Sequence, residues 1–172
     1  MAGHDIRGYT TIWNSSPPLT IAALSGQTQI GMFFKIDVPA TCFGIRAYLP
    51  TANANNYWGW FAQDGQSQIV RVCSFDSFQA GSHAPQWSTA FFKRPMKLIA
   101  NQKYVIVAVM SRFGYGQMVL PHSGDTDTII GHFTIPADTT SIPNGASNNT
   151  LPLFLSTSLG AAKPAIDVLV RI

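Results

Sequence analysis

Gln29-Ile30-Gly31-Met32-Phe33-Phe34-Lys35-Ile36-Asp37-Val38 decides the fold. Ile30, Met32, Phe34, Ile36 and Val38 recur at every second residue, with Gln29, Gly31, Phe33, Lys35 and Asp37 between them. Successive side chains on a strand point to opposite faces, so this period gathers all five apolar residues on one face. A helix would scatter the same five around its circumference. The stretch reads as a strand with one buried face.

The flanking sequence repeats the pattern. Phe43, Ile45, Ala47 and Leu49 share a face, with Arg46 and Tyr48 opposite, and Pro39 and Pro50 bound the run. Proline fits strand ends, where its missing N–H does least harm. Trp58, Trp60 and Ala62 line one arm of a hairpin around Asp64-Gly65, two residues that tolerate the positive φ of a tight turn. In the second arm Val70 and Val72 share a face, with Ile69, Arg71 and Cys73 opposite. Gln86–Lys93 and Met96–Ala100 read as two shorter strands around Pro95, and Asn101-Gln102 as a turn. Tyr104–Met110 is apolar on both faces, the mark of a central strand covered on each side. Its β-branched residues favour strand over helix. Ile166, Val168, Val170 and Ile172 alternate with Asp167, Leu169 and Arg171 in a closing strand.

Residues 1–27 read as an N-terminal arm with the first short strands. Residues 121–164 read as a loop-rich excursion with one short strand at Ile130–Ile135 and a turn at Pro143-Asn144-Gly145. Turn signals fall at about the 8–12-residue spacing of sandwiches, and the strands run on through hairpins. The expected fold is all-β: a single domain over 1–172, an antiparallel two-sheet β-sandwich of jelly-roll type with little or no helix. The predicted core is Ile30, Met32, Phe34, Ile36, Phe43, Ile45, Leu49, Trp60, Val70, Val72, Tyr104, Ile106, Val107, Val168 and Val170.

Composition agrees. The 172 residues are 46% apolar and 11% charged, against about 25% charged in an average domain. That excludes a disordered chain, which needs high charge and few aromatics. There is no Glu among the eight acidic residues, and Asp is a poor helix former. The net charge is only +3, and the cations are scattered, Lys93, Arg94 and Lys97 being the densest group. No basic patch points to nucleic acid. The N-terminus lacks an apolar signal region, and no apolar run reaches the ~18 residues of a membrane span. Neither secretion nor a membrane partner is expected. Cys42 and Cys73 fall in predicted strands and read as buried free thiols, with a disulfide as the alternative.

Motifs for catalysis are missing. There is no G-x-S-x-G, His83 has no acidic neighbour in sequence, and mid-strand thiols are inert. The Asp residues lie mostly in turns, which does not suit the paired carboxylates of a glycosidase. The chain reads as non-enzymatic and without a cofactor. The best polar constellation is His122, Asp125, Asp127 and His132. It could gather a hard or borderline cation, calcium first, or be a polar loop whose Asp side chains cap their own backbone. Trp58, Trp60 and Trp87, with Tyr57 and Tyr115, could stack the rings of a cell-surface glycan, though tryptophans at this spacing suit a sandwich core better. Phe33-Phe34 and Phe91-Phe92 each place one ring on either side of a sheet. One ring of each pair must meet a loop, a ligand or, as the low charge suggests, a neighbouring subunit.

Several stretches together carry a resemblance. They are Pro39-Ala40-Thr41-Cys42-Phe43-Gly44-Ile45-Arg46-Ala47-Tyr48, Trp58-Gly59-Trp60 with Asp64-Gly65, and Trp87 leading to Phe92-Lys93-Arg94-Pro95. Asn101-Gln102-Lys103-Tyr104-Val105 and Ile166-Asp167-Val168 complete the set. The arrangement resembles the small β-sandwich modules of bacterial extracellular proteins and of tail or decoration proteins of tailed bacteriophages. It covers about two thirds of the chain and leaves Thr126–Ala162 unmatched. The matching positions are structural, and no catalytic residue carries over. Taken with the absent secretion signal and the Ser, Thr, Asn, Gly and Pro content, the resemblance implies a virion protein made in the host cytoplasm. Its partners would be other virion subunits, including copies of itself. The alternative it implies is a carbohydrate-binding or host-adhesion module.

Overall fold

The computed structural model describes residues 6–13, 20–22, 28–49, 58–63, 70–74, 86–110, 115–119, 126–137, 140–141 and 162–172. The strands are β1 (Thr20–Ala22), β2 (Thr28–Ile36), β3 (Ala40–Leu49), β4 (Trp58–Gln63), β5 (Arg71–Ser74), β6 (Gln86–Leu98) and β7 (Tyr104–Met110). They continue as β8 (Tyr115–Val119), β9 (Thr128–Ile130), β10 (Phe133–Ile135), β11 (Thr140–Ser141), β12 (Ala162–Pro164) and β13 (Ile166–Arg171). No helix occurs among the described residues. One sheet has the order β5-β4-β7-β2-β10-β9, with β11 also on β2; a second has the order β13-β3-β6; a third joins β1, β8 and β12. Every pairing is antiparallel.

The first two sheets pack face to face as an all-β sandwich. Phe34 of β2 sits at the centre of an aromatic cluster with Phe61 at 6.0 Å, Tyr104 at 5.8 Å and Phe133 at 6.1 Å between ring centroids. Phe92 reaches in from the smaller sheet to Phe61 at 6.1 Å. Edge-to-face aromatic contacts of this kind add to the area they bury. Met32, Phe34 and Ile36 are fully buried, as their alternation requires, and so are Ile45, Ile106, Val168 and Val170. Truncation of Ile106 or Ile45 to Ala should cost about 2–5 kcal/mol by urea titration. An unchanged midpoint would show that these side chains do not face the core.

Several expectations change. Phe43 and Val70, placed in the core by periodicity, are half-buried. The side chains of Ile30, Leu49, Trp60 and Val72 lie outside the described residues. The two strands expected around Pro95 are one, β6, because a bulge absorbs the proline: the partners of Gly44 and Cys42 on β6 are Phe91 and Met96. An extra length of strand there lets Pro95 sit where no ladder bond is needed.

Chain-adjacent strands pair as hairpins at β4–β5 and β9–β10, whereas β2, β3, β6 and β7 step from sheet to sheet. The Asp64-Gly65 turn lies outside the described residues, but its two arms pair as expected. The short strand foreseen at Ile130–Ile135 is the β9–β10 hairpin, turned at Gly131 with φ +57°. Residues 121–164 also contribute β11 and β12. β7 is central, between β4 and β2, and its alternate residues Val105 and Val107 are buried on the second face. Asn101 turns the chain into it at φ +62°, donating its N–H to the Ile36 carbonyl at 2.7 Å.

Candidate functional site

The chemistry-bearing side chains that the fold brings together lie on the outer side of the β13-β3-β6 sheet. Arg46 and Asp167 alternate outward from β3 and β13 and are register partners. The sequence pattern assigns both, with Leu169, to an outward face. Yet Arg46 is 1% exposed, and Asp167 and Leu169 are fully buried. For Arg46 and Asp167 the reason is the N-terminal segment, which bonds to both. Thr10 exchanges two backbone hydrogen bonds with Val170, at 2.8 and 3.1 Å, along the free edge of β13. Ile12 and Trp13 are themselves buried.

Asp167 organises this closure. Its Oδ1 accepts the N–H of Ile12 at 2.6 Å and of Val168 at 2.8 Å. Its Oδ2 accepts the Trp13 N–H at 3.1 Å and Arg46 Nε and Nη2 at 2.9 and 2.7 Å. Arg46 Nη2 also donates to the Trp13 carbonyl and, at 3.3 Å, to Thr11 Oγ1. The Trp13 indole N–H donates to the Ile166 carbonyl at 2.7 Å. Burial pushes the Asp167 carboxyl up to about 6, against the pull of the Arg46 guanidinium and of the Ile12 and Val168 N–H groups. The Arg46 guanidinium, 2.7 Å from Oδ2, holds it in an ion pair. Such a cluster positions chain segments: both carboxylate oxygens and the guanidinium are directed at partners within the fold.

Of the predicted glycan platform, only the Trp87 side chain falls among the described residues. The Trp87 ring is half-buried. The Arg46 guanidinium lies 4.4 Å from its centroid, and Tyr48 meets it edge-on at 5.7 Å. Trp58 and Trp60 belong to β4, in the other sheet, and Tyr115 to β8, in the third; their side chains, and Tyr57 altogether, lie outside the described residues. Of the predicted cation ligands, His122 and Asp125 also lie outside them. Asp127 Oδ1 accepts the Ala137 N–H at 2.8 Å, and His132 Nδ1 lies 2.8 Å from Asp37 Oδ1. Among the described residues no group of three or more His, Cys, Asp or Glu is placed to hold a metal ion. No described helix is long and apolar enough to cross a membrane.

Cys42 and Cys73 are free and buried. Desolvation pushes both thiols up to about 12. Neither should react with a thiol-specific disulfide reagent at pH 8 in the native protein, because the thiolate is the nucleophile. Both should react on unfolding, and rapid native labelling would contradict this burial.

Beyond the Asp167 cluster, the same outer face carries aromatic rings. Tyr9 packs on Phe43 at 5.5 Å and on Phe91 at 5.9 Å. The Arg171 guanidinium lies over Tyr9 and Phe43, at 4.8 and 5.0 Å from their centroids. Phe91 is 40% exposed. Phe33, the outward ring of the other pair, meets Lys103, the residue before β7, at 4.3 Å. The sequence offered one signal for the buried cluster: Asp167 and Arg46 are opposite charges embedded in otherwise apolar strands. Nothing in it tied Thr11 or Trp13 to them. No family model matches the chain, and no curated protein matches its sequence.

Proposed function

We propose that the protein is a non-enzymatic structural subunit of a tailed-bacteriophage particle. It is an accessory tail or capsid-decoration protein, made in the host cytoplasm, that works by packing against other subunits and copies of itself. The observation that carries this reading is the aromatic group on the outer face of the β13-β3-β6 sheet, Tyr9, Phe43 and the exposed Phe91. Aromatic residues and Arg are the side chains enriched where proteins meet. The internally bonded Arg46–Asp167 cluster supports it, since it braces that same sheet.

Antibody-gold labelling of particles from the source culture tests the reading by electron microscopy. Label on a capsid or tail is the expected result and identifies the surface. Unlabelled particles would refute it and favour the glycan-binding module, tested by polysaccharide binding of the free protein.

A further inference from the structure

We infer that the segment Thr10–Trp13 is exchanged between copies of this chain, the segment of one copy docking on the β13 edge and the Arg46–Asp167 pair of a second. The inference rests on the reading of the protein as an assembly subunit and gives its self-packing a physical mechanism.

The β13 edge is shaped as a receptor for this segment. Among the described strands β13 is the outer one of its sheet, and an outer strand offers main-chain groups to any extended chain. Thr10 takes both main-chain groups of Val170, donating at 2.8 Å and accepting at 3.1 Å. The Trp13 indole takes the Ile166 carbonyl at 2.7 Å. Asp167 accepts the Val168 N–H of its own strand at 2.8 Å, and those of Ile12 and Trp13 at 2.6 and 3.1 Å. Arg46 donates to the Trp13 carbonyl and to Thr11 Oγ1. Every residue from Thr10 to Trp13 therefore meets a specific partner, and Ile12 and Trp13 are buried once seated.

These partners lie far along the chain. Asp167 and Ile166 are 153 to 155 positions from the residues they bond, and Arg46 is 33 from Trp13. The receptor itself is assembled by β3 and β13, which pair with each other without the segment. The same segment arriving from a second copy would make the same bonds. Contact for contact the two arrangements are equal, so their ratio follows the effective concentration of the chain's own segment against that of its neighbours'. Copies packed side by side in an assembly raise the second. Each copy carries both halves, so reciprocal docking closes a two-fold pair with no new kind of contact. The sequence that follows the segment suits an exchange: Ser16 and Pro17 each precede a proline, a position biased to extended backbone.

The test mixes two full-length variants. One keeps the segment and loses the receptor charges, Arg46→Met with Asp167→Leu. The other keeps the receptor and loses contacts of the segment, Ile12→Pro with Trp13→Ala, which removes an N–H bonded to Asp167 and the indole bonded to Ile166. Neither docks its own segment, but the two intact halves meet in a heterodimer. With one variant isotope-labelled, native mass spectrometry should show heterodimer exceeding the two homodimers together by about tenfold or more. In the same mixture the Trp13 amide of the first variant should regain the hydrogen-exchange protection that it lacks alone. Wild type should form a dimer that grows with concentration, and Ile12→Pro with Trp13→Ala should weaken that dimer by about tenfold or more. Should the receptor variant fail to fold, this comparison with wild type carries the test. Dimers in statistical proportion, a Trp13 amide that stays unprotected in the mixture, or a segment variant that dimerises as wild type does would each overturn the inference. So would a wild type that stays monomeric at every concentration. Gold-labelled particles built from a chain that fails these tests would remove this inference and leave the structural role standing. Exchange in a protein missing from particles would remove the structural role instead.

Discussion

Asp167→Ala is expected to lower the free energy of unfolding by about 3–5 kcal/mol, because it leaves a buried guanidinium without its counter-ion. Arg46 is 1% exposed and directs both Nε and Nη2 at the carboxylate. The same substitution strips the acceptor from the N–H groups of Ile12, Trp13 and Val168. An unmade buried hydrogen bond costs more than a made one contributes, so these losses add to the charge penalty. Chemical denaturation measures the total. Amide hydrogen exchange locates it: the Ile12 and Trp13 N–H groups should lose protection before the β7 amides do, since the segment is tied through Asp167. Replacing both partners, Arg46→Met with Asp167→Leu, should recover much of the stability, because an apolar pair removes the desolvation cost along with the attraction. The double variant should still expose Ile12 and Trp13 to exchange. If Asp167→Ala melted like wild type with both amides protected, the carboxylate would not be what holds the segment.

Gly44→Ala is the second large effect expected, about 3 kcal/mol or more from overpacking against backbone. A Cβ at Gly44 would stand 2.2 Å from the Ala90 carbonyl oxygen and 2.9 Å from the Phe91 Cα. Neither is the movable end of a side chain. Both belong to the partner strand, immediately beside the bulge that accommodates Pro95. Relief requires β3 and β6 to separate, and β3 is the middle strand of its sheet. The contrast is Gly131, where a Cβ would meet nothing within 4 Å but the backbone sits at φ +57°. There Ala should cost only about 1–2 kcal/mol, the ordinary penalty of the left-handed region, and Asn less. Thermal melts of the two alanine variants side by side separate the effects. A Gly44→Ala protein no less stable than Gly131→Ala would show that the two strands are not so close.

Much of the fold was legible because burial in a sandwich imposes period two. The run 29–38 became β2 with Met32, Phe34 and Ile36 buried and Val38 half-buried beyond its end, Tyr104–Met110 became the central β7, and 166–171 became β13 with Ile166, Val168 and Val170 buried and Ile172, past its end, exposed. Local turn chemistry was legible at Asn101, whose side chain tolerates positive φ. Strand order was not, because stepping from one sheet to the other leaves no mark on alternation within a strand. Pro95 read as a break for the same reason: only the partner strand shows that a bulge takes it up.

For the candidate site residues the structure describes, the partners were not legible in sequence. Trp87, picked as a sugar platform, carries Arg46 on its ring. Asp127 and His132, picked together as cation ligands, make their hydrogen bonds to Ala137 and Asp37. A side chain's chemical type is visible in sequence, but its partners lie far along the chain. Asp167 meets Ile12 across 155 positions and Arg46 across 121.

By itself the sequence determined that this is a β-protein, which residues point inward along its clearest strands, and that it holds little charge. All three follow from local alternation and composition. Only the tertiary structure decided that the outward face of β13 is half hidden. Periodicity assigns a residue to a face of its strand but carries no information on what covers that face. Here the segment around Ile12 and Trp13 binds Asp167 and Arg46, while Arg171, four residues beyond Asp167, is left exposed.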